Sequence, residues 1–160
     1  MKPILMIHEI TDDLFDLPLS DYILTFDDGT EDHYQFWHKI KPIPTTKIFF
    51  IITDRIGTPG YLTLDQVKEI QSDPSVEIGG HSHQHGIYKD MSLSDVVANL
   101  KSDLALMIDW FKNNLGYVPN SFCYPYNEDY RDVYPAIVKS QGIKNCYGRG
   151  RIDVSTLSRS

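Results

Sequence analysis

The stretch "TTKIFFIIT", Thr45 to Thr53, decides the fold class. Its apolar residues run almost unbroken and include aromatic and β-branched side chains, the pattern of a strand buried on both faces. Such a strand needs cover on each side, and the flanking sequence alternates strand-like with helical segments. "ILMIHEI" (Ile4 to Ile10) and "YILTFDD" (Tyr22 to Asp28) are short, apolar and closed by polar residues. "SVEIGGHS" (Ser75 to Ser82) and "SFCYPY" (Ser121 to Tyr126) are shorter strand candidates, and "KNCYG" (Lys144 to Gly148) is the weakest.

Helical spacing fills the intervals. Thr30 is placed to cap a helix through about Ile40, with Phe36, Trp37 and Ile40 facing inward. "TLDQ" (Thr63 to Gln66) has capping-box spacing and opens a helix to Gln71 that buries Leu64, Val67 and Ile70. The longest helix is expected from Ser92 to Leu115, where Leu93, Val96, Leu100, Leu104, Met107 and Phe111 keep a helical period and Gly116 stops it. A last helix is expected over roughly Tyr130 to Gln141. This order predicts an α/β fold with a parallel sheet or barrel. No repeat or linker interrupts the chain, so residues 1–160 are expected to form one domain.

Composition narrows the function classes. At 160 residues and 41% hydrophobic, the chain can bury a core without disulfides. A net charge of -7 argues against a phosphate-binding surface, so neither nucleic acid nor an anionic membrane is an expected partner. Cys123 and Cys146 have neither zinc-knuckle spacing nor a disulfide framework. "MKPILMIHEITDD" is too short and too soon acidic for a signal peptide or membrane span, which makes a cytoplasmic location the expectation.

In α/β folds ligands sit beyond the carboxyl ends of the strands, and the polar clusters fall there. "TFDDG" (Thr25 to Gly29) puts two adjacent carboxylates at a buried strand end, where they repel and lose hydration. They need a cation or a shared proton, unless the pair serves only a turn and a helix start. "GGHSHQHG" (Gly79 to Gly86) carries His81, His83 and His85 at every second position. A strand continuing through His85 would line up all three. A turn after His81 instead brings His81 and His85 to one point and turns His83 elsewhere. Two histidines and a carboxylate form a set that suits zinc, cobalt, nickel or iron.

"TFDDG", then His-Ser-x-x-His in "HSHQH", then "FCYPYN" resemble the polysaccharide deacetylase family, over roughly Ile4 to Tyr147. The resemblance implies a distorted, incomplete (β/α) barrel, here short at its C-terminus. It implies that Asp28, His81 and His85 hold a divalent metal, zinc first and cobalt, nickel or iron as alternatives. Asp27 would be the general base. Ser82 would brace the histidine loop, the backbone N–H of Tyr126 would help stabilise the oxyanion, and Pro125 would shape that wall. The implied activity is metal-dependent removal of an acetyl group from an N-acetylated sugar or glycan precursor, with an N-acetylated carbohydrate as the partner.

The chain departs from the family in two places. Cys123 stands where many members have an arginine that positions the base, which leaves Arg149 and Arg151 as substitutes. No histidine follows His85, so the family's late general acid is absent. His8, closing the first strand as a "YH" pair does in part of the family, is the first candidate for that acid. His83 and His33 stand behind it: His83 is more in keeping with a bracing role, and His33, in the first turn after "DDG" and near the rim, with a solvated or bracing one. Tyr124 is a candidate for stacking on a sugar, with Tyr61, Tyr88, Tyr126 and Tyr130 near it in kind. The missing acid keeps two other classes open: a hydrolase of cyclic amides or ureides, and a metal- or carbohydrate-binding module without turnover. Nothing in the sequence sets an oligomeric state.

Overall fold

The structure, a computed structural model, describes residues 1–159. Seven strands form one sheet: β1 (Ile4–Ile7), β2 (Ile23–Asp28), β3 (Lys47–Ile51), β4 (Val76–Gly80), β5 (Ser121–Cys123), β6 (Asn145–Tyr147) and β7 (Ile152–Asp153). Their order is β6-β5-β4-β3-β2-β1-β7. β1 runs parallel to both neighbours, with Leu5 beside Leu24 and Ile152, and β5 runs parallel to β4 and β6. The helices are α1 (Asp32–Ile40), α2 (Leu64–Gln71), α3 (Leu93–Asn114) and α4 (Val133–Ser140). The fold is the incomplete (β/α) barrel expected. No described helix is long and apolar enough to cross a membrane.

β3 is buried along its whole length, as its unbroken apolar run requires. Lys47 at its start is buried too, and burial pushes its ammonium below the usual lysine range. The charge is kept because Nζ donates to the Ile43 carbonyl at 2.7 Å and to Ser75 Oγ at 3.0 Å, replacing lost water.

Local signals set most helix ends. Thr63 Oγ1 accepts from the Gln66 N–H, and the Gln66 side chain accepts from the Thr63 N–H, so the capping box forms. Ser92 caps α3 by accepting from the Asp95 N–H, and Gly116 ends it at φ 85°. Thr30 is not the cap of α1. It bridges Tyr61 in an antiparallel pair, and Glu31 stands at the cap position without a side-chain bond. α4 starts at Val133 rather than Tyr130, because Tyr130, Arg131 and Asp132 are all left-handed, at φ 50°, 55° and 69°. β1 stops at Ile7, short of Ile10, and β7 has no counterpart in the sequence expectation.

The chain divides into two compact units. The first comprises residues 1–50, 56–78 and those from Gly150 onward. Its core centres on Leu5, Ile7, Leu24, Phe26, Phe36 and Phe49, all buried. The Phe26 and Phe49 rings stack at 4.5 Å and 9°. The second comprises residues 51–55 and 79–149, with Leu100, Met107, Phe111, Phe122 and Val138 in its core. A Cβ on Gly80 would meet Met107 Sδ at 2.4 Å, so any larger residue there would force the Met107 side chain to shift.

Candidate active site

Within the first unit, the carboxyl ends of β1 and β2 bring a carboxylate cluster together. Asp27 is 2% exposed and both its oxygens are held by Arg151: Nη1 to Oδ1 at 2.8 Å and Nη2 to Oδ2 at 2.9 Å. The planar guanidinium matches the carboxylate as a fork, which fixes its orientation as well as its charge. Arg151 Nη1 also donates to Thr25 Oγ1 at 3.1 Å, and that hydroxyl donates onward to the Leu5 carbonyl at 2.5 Å. Of the two arginines weighed from sequence, Arg151 is the one that meets Asp27. Arg149 is exposed.

His8 follows β1, half in solvent, with Nε2 3.4 Å from Asp27 Oδ2. It shares a cavity of about 460 Å³ with Asp28, Glu9 and Glu31. Asp28 closes β2 in the left-handed region, at φ 86°. Such a conformation costs a residue other than glycine on the order of 1–3 kcal/mol and is characteristic of functional turns.

His33 is not solvated: it is fully buried, packed on Phe26 and Phe49. Its Nε2 lies 2.9 Å from the His8 carbonyl, which only accepts, so Nε2 carries the proton. Burial lowers its pKa despite that bond, and the ring stays neutral. Its role is to anchor the backbone of His8.

Within the second unit, the carboxyl ends of β4 and β5 carry a histidine cluster. The chain leaves the sheet after Gly80 and turns, so the three histidines do not share a face. His81 is 1% exposed, and its Nδ1 lies 2.8 Å from the Cys123 carbonyl. The carbonyl only accepts, so Nδ1 is protonated and Nε2 presents its lone pair. His85 Nε2 lies 3.2 Å from His81 Nε2. Within the turn, Ser82 Oγ accepts from the His85 N–H at 2.8 Å. His83 points away: Nδ1 meets Thr53 Oγ1 at 2.8 Å and Nε2 lies 3.5 Å from Asp54.

Holding this turn takes more than Ser82. Ser82 and His85 sit at φ 67° and 56°, conformations that disfavour non-glycine residues. Asp103 of α3 accepts from the His83 N–H at 2.8 Å and the Gln84 N–H at 2.9 Å. Sequence reasoning missed Asp103, although the signal is a carboxylate on the apolar stripe between Leu100 and Met107.

The wall after β5 is a short 3-10 turn, Pro125–Asn127, with Tyr126 at φ 61°. The Tyr126 ring is exposed and lies 4.6 Å from that of His85. Its backbone N–H donates to no group among the described residues. Pro125 is buried and starts the turn. Tyr124 is 6% exposed and packs between Phe122 and Tyr134, an environment of support rather than of sugar stacking. Burial and a bond to Cys146 push its hydroxyl well above the usual tyrosine range.

Solved structures define the class of this fold. IcaB from Ammonifex degensii matches with a TM-score of 0.78 at 18% identity, covering 96% of this chain and 91% of its own. The Streptococcus pyogenes deacetylase PplD in complex with acetate matches at 0.73 and 18% identity, with 96% and 92% covered. A de-N-acetylase from Aggregatibacter actinomycetemcomitans matches at 0.70 and 19%, with 89% and 71% covered. The architecture is that of these deacetylases. The sequence itself supplies the family: the polysaccharide deacetylase profile matches residues 18–146, and the chain belongs to the polysaccharide deacetylase family. No curated protein sequence matches it significantly.

Proposed function

We propose that residues 1–160 act as a single catalytic domain that removes the acetyl group from an N-acetylated carbohydrate with one divalent metal, zinc first. The observation that carries this reading is the pair of imidazole nitrogens, His81 Nε2 and His85 Nε2, 3.2 Å apart. A tetrahedral zinc with bonds of about 2.0–2.1 Å needs donors about 3.3 Å apart, so the pair fits. The Cys123 carbonyl behind His81 supplies the outer partner such ligands need. Asp28, the second carboxylate of the motif, is the proposed third ligand. The oxygen and nitrogen set also admits cobalt, nickel or iron.

A bound divalent ion supplies Lewis acidity, polarising the amide carbonyl and acidifying water. The chain's own residues supply the rest. Asp27, oriented by the Arg151 fork, accepts the proton of the attacking water. The Tyr126 N–H donates to the oxyanion of the tetrahedral intermediate. His8, beside Asp27 and open to solvent, gives a proton to the departing amine. Acetate and a free amine leave.

The test measures bound metal and acetate release from N-acetylchitooligosaccharides for the wild type and three variants. The wild type is expected to hold about one divalent ion per chain. Asp28→Ala and His85→Ala are expected to lose it. Asp27→Asn keeps the ion and loses activity; full acetate release by this variant would overturn the base assignment. Turnover of cyclic amides without any acetate release would move the protein to other C–N bonds.

A further inference from the structure

Asp103 stands where an apolar residue would be expected, one helical turn from both Leu100 and Met107 on the buried stripe of α3, and is itself 6% exposed. A carboxylate placed there loses its water and persists only if both oxygens are satisfied. The backbone of the histidine turn satisfies both: Oδ1 takes the His83 N–H at 2.8 Å and Oδ2 the Gln84 N–H at 2.9 Å. Charge-assisted bonds of this kind are about twice as strong as neutral ones.

The turn needs such a hold. Its ends, Ser82 and His85, are both left-handed, and a chain of ordinary residues does not keep that shape unaided. Residues 53 and 54 tie the opposite edge, where the Thr53 N–H donates to the Ser82 carbonyl at 3.2 Å and the Asp54 N–H to the His83 carbonyl at 3.0 Å. The carbonyls are therefore fixed from one side and the amides from the other, by Asp103. The two peptide units so gripped lie between His81 and His85, whose nitrogens stand 3.2 Å apart.

We infer that Asp103 is a positioning residue for the metal-binding histidines: by gripping the His83 and Gln84 amides it sets the spacing of His81 and His85, and with it the affinity and geometry of the divalent ion. The inference rests on the proposed role of His81 and His85 as ligands. Asp103 acts through the turn and touches neither ion nor substrate.

The experiment titrates metal-free protein with cobalt(II), following binding by calorimetry and the cobalt absorption spectrum, alongside urea unfolding without metal. Asp103→Asn offers one acceptor oxygen and an NH₂ group to two N–H donors, so one bond is lost. It is expected to bind cobalt about 10–100-fold more weakly, the range for loss of a partner behind a ligand, with an altered spectrum. Asp103→Glu keeps both acceptor oxygens and is expected to recover most of the affinity. Amide exchange on the metal-free wild type gives an independent measure, with His83 and Gln84 expected to be protected as well as the core of α3.

A variant Asp103→Asn that unfolds more easily yet binds cobalt with wild-type affinity and spectrum would overturn the inference. So would fast exchange at both amides in the wild type. A wild type that binds no divalent ion would instead overturn the ligand assignment on which the inference rests, so the two failures are told apart.

Discussion

Replacing Arg151 by Met is expected to destabilise the protein by about 3–5 kcal/mol, because it strands a buried carboxylate. The size can be built from the contacts. Arg151 and Asp27 are each 2% exposed, and the guanidinium donates twice to the carboxylate, at 2.8 and 2.9 Å. Hydrogen bonds to charged groups contribute roughly 1.5–3 kcal/mol each, so two give a loss in that range. Asp27→Asn keeps one acceptor oxygen but leaves the equally buried Arg151 guanidinium without its counter-charge, so its loss is expected to be about 3–5 kcal/mol as well. The double variant leaves no buried charge, and a matched apolar or neutral replacement of an ion pair is often close to neutral. Urea unfolding of the two single variants and the double variant measures the cycle, with unchanged denaturant slopes as the control. The double variant is expected to recover most of the summed loss of the singles, several kcal/mol. Losses that add to within about 0.5 kcal/mol would refute the idea that this pair acts as one buried unit.

Other outcomes follow from the same contacts. Burial holds His33 below its ordinary 6.5, so the folded protein keeps it neutral where the unfolded chain takes up a proton. The unfolded state then binds more protons, and stability falls as pH drops from 6.5 towards the folded value, by up to about 1.4 kcal/mol per unit from this group. Above 6.5 its contribution is constant. Urea midpoints at pH 7.5, 6.5 and 5.5 should show a shallower slope for His33→Phe than for the wild type; equal slopes would exclude His33 as the source. Gly80→Ala places a methyl 2.4 Å from Met107 Sδ and 2.6 Å from its Cε, and is expected to cost about 1–3 kcal/mol by thermal unfolding. A change within error would mean that Met107 moves aside freely.

The sequence disclosed most where physics is local. β3 announced itself by an apolar run, and α2 and α3 by caps and period. β7, at two residues, is too short to show a pattern. The start of α4 was misplaced because Glu128 and Asp129 turn their carboxylates on the Tyr130 and Arg131 amides, a local bond that competes with helix. His33 shares the register of Phe36, Trp37 and Ile40, which points to burial, but its polarity argued for solvent. The His-Ser-x-x-His turn was legible as a motif because Ser82 reaches only three residues ahead. Arg151 was not, since its bond to Asp27 spans 124 residues and no local rule chooses it over Arg149.

That span has a consequence in time. A ribosome adds about 5–20 residues per second, so roughly 6 to 25 seconds separate the making of Asp27 from that of Arg151. Throughout that interval β1 and β2 can pair, but the carboxylate behind them lacks its counter-ion, and β7 has yet to join β1. A nascent chain therefore carries Asp27 long before it carries the guanidinium that orients it.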